Sequence, residues 1–127
     1  MKFKTLMIIK AAVCLGFGPI LLFIPGELLN FLGTSYGPGA AFTGREYGAV
    51  LMGNLMLTWF AKDAEKSIAR KAIILHLFVY DAIALIVTLA IQLSGGLNVF
   101  GWGIVFVYLF FTIGFGYFLI QERRSAD

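Results

Sequence analysis

The chain has 127 residues, of which 60% are hydrophobic and 13% are charged, and its formal net charge is +3. A soluble domain of this length carries roughly 45–50% apolar and about 25% charged residues, and its interior is too small to hide such an excess. Composition therefore excludes a soluble globular enzyme, a disordered tail and a nucleic-acid-binding domain. The single cysteine, Cys14, and the single histidine, His76, exclude an intrachain disulfide and a metal or haem site built from several histidines of one chain.

Four apolar segments predict the fold. They occupy about 6–24, 40–61, 72–93 and 99–120, and each has the roughly 20 residues that a helix needs to cross a hydrocarbon core of about 30 Å. A transmembrane barrel would instead show at least eight strands of about ten alternating residues each. The sequence therefore predicts an all-α polytopic membrane protein, with a single domain of four transmembrane helices in an antiparallel bundle.

Three connections separate these segments. The first, residues 25–39, begins with a short amphipathic stretch and continues into a turn rich in glycine and proline. The second, residues 62–71, mixes acidic and basic residues and is typical of a solvated linker between helices. The third, residues 94–98, is a tight turn that makes the last two helices antiparallel neighbours. No connection has room for a catalytic domain outside the membrane.

The basic residues predict the orientation in the membrane. If four helices cross the membrane, nine of the ten basic residues fall on one side, and the first and third connections contain no Lys or Arg. The positive-inside rule then predicts that both termini are cytoplasmic. The short design without soluble domains favours a bacterial inner membrane. The nine residues are Lys2, Lys4, Lys10, Lys62, Lys66, Arg70, Lys71, Arg123 and Arg124.

Asp81 is the most informative polar residue, because it lies near the centre of the third apolar segment. A carboxylate at that depth costs at least about 2.5–3.5 kcal/mol and should face the interior of the bundle. Asp81 either titrates or balances a cationic ligand, or it is a structural partner of a buried donor. Thr88 shares its helical face and extends a polar track toward the outer side.

The second apolar segment supplies candidate partners for Asp81. In a hairpin of the second and third segments, Asp81 is level with residue 50, and Arg45 lies about 8 Å toward the outside. One hypothesis is therefore an Arg45–Asp81 ion pair, and the alternative is that Arg45 and Glu46 remain together at the interface.

The same hairpin places Asn54 near His76 and Tyr80, which are four residues apart and share a helical face. His76 and Asp81 are five residues apart and point to different sides, so they are poorly placed as a direct dyad. A proton path that used both would need water or a second chain.

Glycines mark a face for close helix packing in the second segment, at Gly44, Gly48 and Gly53. Gly44 and Gly48 form a small-xxx-small pattern, which lets two helix backbones approach each other. The pattern fits an approach within one chain or between subunits.

Two stretches carry a resemblance to a known family. Residues 25–33 combine a proline that ends the first helix with a Leu-Leu-x-x-Leu-Gly turn, and Arg45 to Gly48 give an Arg-x-x-Gly entry to the second helix. The chain thereby resembles small four-helix bacterial membrane proteins that are broadly DoxX-like. The resemblance implies a four-helix integral membrane protein, and some relatives are associated with respiratory quinone chemistry or oxidant defence. It assigns no catalytic residue, and the lone Cys14 argues against a thiol-redox role.

Three functional hypotheses follow. The first is a small lipid-embedded protein that acts through helix contacts, as an accessory subunit of a larger membrane complex or as a homo-oligomer, without a catalytic set, metal or cofactor. The second is a proton-coupled carrier or conductance for a small solute that uses Asp81. The third is a quinone-binding subunit or another membrane enzyme, in which His76 or Arg45 contacts the ligand.

Overall fold

A computed structural model describes residues 1–126, and within them the chain is helical and contains no strand. The prediction of an all-helical chain is therefore confirmed. The residues form two compact units, of which the first is Met1–Lys62 and the second begins at Asp63. The five helices are α1 (Phe3–Phe23), α2 (Pro25–Phe31), α3 (Pro38–Ala61), α4 (Ile68–Leu93) and α5 (Gly101–Ala126).

Three of these helices are long and apolar enough to cross a membrane: α1, α4 and the part of α5 over Gly101–Arg124. The prediction of a membrane protein with transmembrane helices agrees with this finding. With 24 residues, α3 is about 36 Å long and also has the length of a span. Its mean hydropathy is lower, because Arg45, Glu46 and Asn54 lie within it.

In the first unit, α1 and α3 pack as antiparallel helices, and glycines allow the contact. A Cβ atom on Gly48 would lie 2.8 Å from the backbone nitrogen of Leu22 and 2.9 Å from the carbonyl oxygen of Gly18. A Cβ atom on Gly44 would lie 3.4 Å from the Cβ of Pro25. Lower residue numbers of α3 thus meet higher numbers of the α1–α2 segment, as antiparallel packing requires.

The short helix α2 occupies the amphipathic stretch that the sequence predicts after the first apolar segment. It begins at Pro25, where the missing backbone N–H leaves no hydrogen bond unmade. Gly33 follows the helix with a φ of 75°, a left-handed conformation that suits glycine and ends helices. The backbone N–H of Thr34 donates to the carbonyl of Leu29 at 3.0 Å across this end.

In the second unit, α4 and α5 form an antiparallel pair, as the tight turn between them predicts. The Ser67 hydroxyl caps α4 by accepting from the backbone N–H of Arg70 at 3.1 Å, so the helix begins within the predicted linker. Midway along the pair, a Cβ atom on Gly116 would lie 3.1 Å from the Phe78 ring. The turn itself includes Gly95 with a φ of 82°.

Candidate functional site

Asp81 lies on α4 in the second unit and is fully buried. Arg70 and Gln92 lie 11 residues before and after it, which is about three helical turns in each direction. Arg70 binds Glu122 on α5, and the Gln92 amide lies beside Gly101 at the other end of α5. The three residues share one stripe of α4, and this stripe meets α5 at both of its ends.

The part of α5 opposite Asp81 is aromatic. The same spacing, counted inward from Glu122, reaches Phe111, whose side chain is also buried. Phe111 stacks on Phe115, with ring centroids 6.0 Å apart and planes at 20°. The neighbouring hydroxyl of Thr112 donates to the carbonyl of Tyr108 at 2.7 Å. By this count, Asp81 is level with the buried phenylalanines of α5.

Thr88, the second member of the predicted polar track, lies two turns further along α4 and is half-buried. Gln92 continues the same stripe and is buried, and its side-chain amide donates to the carbonyl of Asn98 in the turn at 3.1 Å. The polar track thus ends in a hydrogen bond that holds the α4–α5 turn.

An ion pair that the sequence analysis did not predict joins the opposite end of α4 and α5. The Nε of Arg70 lies 2.8 Å from an Oε1 of Glu122, and their side chains are 14% and 6% exposed. Arg70 also donates to the carbonyl of Ala64 at 2.7 Å. Arg70 therefore belongs to a buried contact, and its assignment to a solvated linker is wrong. The signal was in the sequence, since Arg70 and Glu122 each lie 26 residues from Gly96 in the hairpin turn.

His76 and Tyr80 share a face of α4, as predicted, and they begin an aromatic row. Their ring centroids are 6.4 Å apart with nearly parallel planes, and Tyr80 meets Tyr108 of α5 edge-on at 6.4 Å. His76 is exposed whereas Asp81 is buried, so the two do not share a side of α4. A groove of about 440 Å³ runs beside the row. It is lined by Ala72, Leu75, His76, Val79 and Tyr80.

A second set of buried polar side chains lies in the first unit. Asn54 is 5% exposed, and Thr58 is fully buried and donates its hydroxyl hydrogen to the carbonyl of Asn54 at 2.8 Å. Lys10 is also buried, at 2% exposure, on the stripe of α1 that continues to Gly18. Lys10 lies about one turn inside the first apolar segment, and hydropathy gives no sign of its burial. The predicted proximity of Asn54 to His76 stays a prediction.

Arg45 and Glu46 are both exposed on α3. They line a groove of about 500 Å³ together with apolar and small residues of the same helix. An Arg45–Asp81 ion pair stays a prediction. The lining residues of this groove are Pro38, Ala41, Phe42, Arg45, Glu46 and Ala49.

The three predicted packing glycines are not equivalent. Gly44 and Gly48 lie against the α1–α2 segment of their own chain, and Gly48 makes the closest approach. Gly53 is exposed, and a Cβ atom there would meet no atom within 4 Å among the described residues. The Gly44 and Gly48 pair therefore allows close helix packing within the chain at one face of α3, whereas Gly53 lies on another face.

No protein-family model matches the chain, and no curated protein or solved structure matches it. The DoxX-like resemblance and the quinone hypothesis stay predictions. Within the described part of the chain, no three His, Cys, Asp or Glu side chains are grouped to hold a metal ion.

Proposed function

We propose that this chain is a four-span integral membrane protein that acts through helix contacts, as a subunit of a membrane assembly. The antiparallel packing of α3 on α1 supports the fourth span. Because α1 is apolar enough to cross the bilayer and α3 has 24 residues, α3 accompanies α1 through the same depths. The basic clusters then lie together on the cytoplasmic side with both termini, as the positive-inside rule favours.

The exposed Arg45 and Glu46 carry the functional proposal. They lie seven and eight residues after Pro38, where α3 begins. If α3 is centred in a core of about 30 Å, both Cα atoms lie about 8–10 Å inside its boundary. The arginine can extend toward the headgroups, but the shorter glutamate reaches less far. Ionised side chains in membrane helices normally face protein or a polar cavity. A protein partner on this face of α3 would satisfy that requirement.

The test is the mass of the assembly that is extracted from native membranes. After extraction in a mild detergent, we expect a protein mass well above the 14.0 kDa of the chain, measured by light scattering with the detergent mass subtracted. Replacing both charges, Arg45→Ala with Glu46→Ala, should reduce that mass, whereas Lys66→Ala in the exposed linker should not. A wild-type chain that is monomeric in native membranes and in detergent would refute the proposal.

A proton-coupled carrier is the second candidate, because Asp81 is a fully buried carboxylate in an apolar helix. Intramembrane acids with this placement are frequent parts of proton relays. In proteoliposomes with an imposed pH gradient, a carrier would move protons and lose that flux with Asp81→Asn. An unchanged flux in the Asp81→Asn variant would exclude this function.

A further inference from the structure

Among the described residues, one face of α3 is exposed, on the side away from α1. Its residues recur every three or four positions, and they are all exposed. We call it the outer face of α3. It consists of Phe42, Arg45, Glu46, Ala49, Gly53, Met56 and Phe60.

We propose that a second copy of this chain binds the outer face of α3 across a two-fold axis parallel to the membrane normal, with Arg45 of each copy paired to Glu46 of the other. This inference rests on the proposed function and names its partner. It makes the protein a symmetric dimer with two reciprocal ion pairs.

The charges favour a second copy over an unlike partner. Copies inserted by the same topology have the same orientation, so a two-fold axis along the membrane normal brings residues of equal depth together. Arg45 and Glu46 differ in depth by about 1.5 Å and carry opposite charges. A two-fold interface is self-complementary when residue i meets residue j and j meets i. In a second copy, the Glu46 and Arg45 side chains therefore provide the opposite charges that Arg45 and Glu46 need. An unlike chain would have to carry one acidic and one basic residue at the same depth.

The shape of the outer face permits the approach. Ala49 and Gly53 are four residues apart, and a Cβ atom at Gly53 would meet no atom within 4 Å in the described part of the chain. Small residues at this spacing let two membrane helices pack closely. On another side of the helix, Gly48 already contacts the α1 backbone, whereas the residues of the outer face are exposed.

Disulfide trapping in native membranes tests the geometry. In a Cys14→Ala background, Gly53→Cys should form a covalent dimer on oxidation, because two-fold-related Cα atoms must come within about 7 Å for a disulfide. Ala49→Cys serves as a second probe if the first variant is not produced. The matched control is Gly16→Cys, an exposed glycine of α1 with open space around it, which should stay monomeric on the same gel.

Charge reversal tests the pairing. Arg45→Glu or Glu46→Arg alone places like charges across the axis and should lower the dimer association constant at least about tenfold, a change of about 1.4 kcal/mol. When the two single variants are produced together with different tags, each should capture the other and not itself. The double reversal Arg45→Glu, Glu46→Arg should restore the dimer.

The outcomes separate the inference from the proposed function. A trapped dimer with mixed-pair capture supports the two-fold interface. An assembly of high mass that contains one copy of this chain, with no trapping at Gly53→Cys or Ala49→Cys, overturns the second copy and leaves the proposed function intact. A monomer in native membranes overturns both.

Discussion

Substitution of Gly48 by alanine tests the packing of α1 on α3 at its closest point. The added Cβ would lie 2.8 Å from the Leu22 nitrogen, 2.9 Å from the Gly18 oxygen and 3.0 Å from the Leu22 Cγ. Two of these atoms belong to the backbone, so a side-chain rotation cannot relieve the contact. The helices must move apart by about half an ångström, which forfeits a quarter to a half of the dispersion energy of the atom pairs that separate.

The magnitude follows from two opposing terms. Overpacking a tight contact typically costs about 1–3 kcal/mol. Replacing an interior helical glycine by alanine gains about 0.8–1.0 kcal/mol of helix propensity. Gly16→Ala is the matched control, because Gly16 lies in α1 and a Cβ there would meet no atom within 4 Å among the described residues. The difference between the two variants isolates the steric cost and should be about 1–3 kcal/mol.

The assay is the free energy of unfolding in mixed micelles, measured by titration with sodium dodecyl sulfate and followed by circular dichroism and tryptophan fluorescence. Gly48→Ala should unfold at a lower denaturant fraction than wild type or match it, and Gly16→Ala should unfold at the same or a higher fraction. Equal unfolding free energies for Gly48→Ala and Gly16→Ala would refute the close crossing of α1 and α3.

Two further predictions concern the second unit. Arg70→Ala should destabilise the α4–α5 pair by about 3–5 kcal/mol, because it leaves the Glu122 carboxylate buried without its cation. The free energy of unfolding in micelles measures this loss, with the exposed Arg123→Ala as the control. A loss of stability no larger than in the control would contradict the buried pair. If the groove beside His76 binds a quinone, His76→Ala should weaken quinone binding about tenfold or more, a loss of roughly 1.4 kcal/mol. Quenching of the protein fluorescence by a short-chain ubiquinone measures the binding. Equal quenching in wild type and variant would exclude a role for His76.

The helices could be predicted from the sequence because long apolar runs in a membrane have few alternatives to helix. The apolar segment 72–93 lies within α4, which begins four residues earlier, and the segment 99–120 overlaps α5, which begins two residues later and ends six residues further on. The extensions could not be found from hydropathy. Helix α4 starts at Ile68 because Ser67 caps it. Its first turn includes Arg70 and Lys71, whose charges lower the hydropathy but do not prevent a helix.

The candidate site was predictable only in part. The burial of Asp81 followed from the cost of exposing a carboxylate to lipid. The Arg70–Glu122 pair was missed because a hydropathy profile treats both residues as parts of polar ends, while their contact depends on the register of a hairpin. The different roles of Gly48 and Gly53 also depend on register, since both are glycines of one helix and only the position of α1 distinguishes them.

The most direct test of the central claim, that α3 crosses the membrane as the second of four spans, is the accessibility of single cysteines in a Cys14→Ala background. In intact cells, a membrane-impermeant maleimide should label Ser35→Cys and Ser94→Cys from the outside. It should label Ser67→Cys only after the membrane is permeabilised. If Ser35→Cys and Ser67→Cys are labelled from the same side, α3 does not cross the membrane, and the four-span account is wrong.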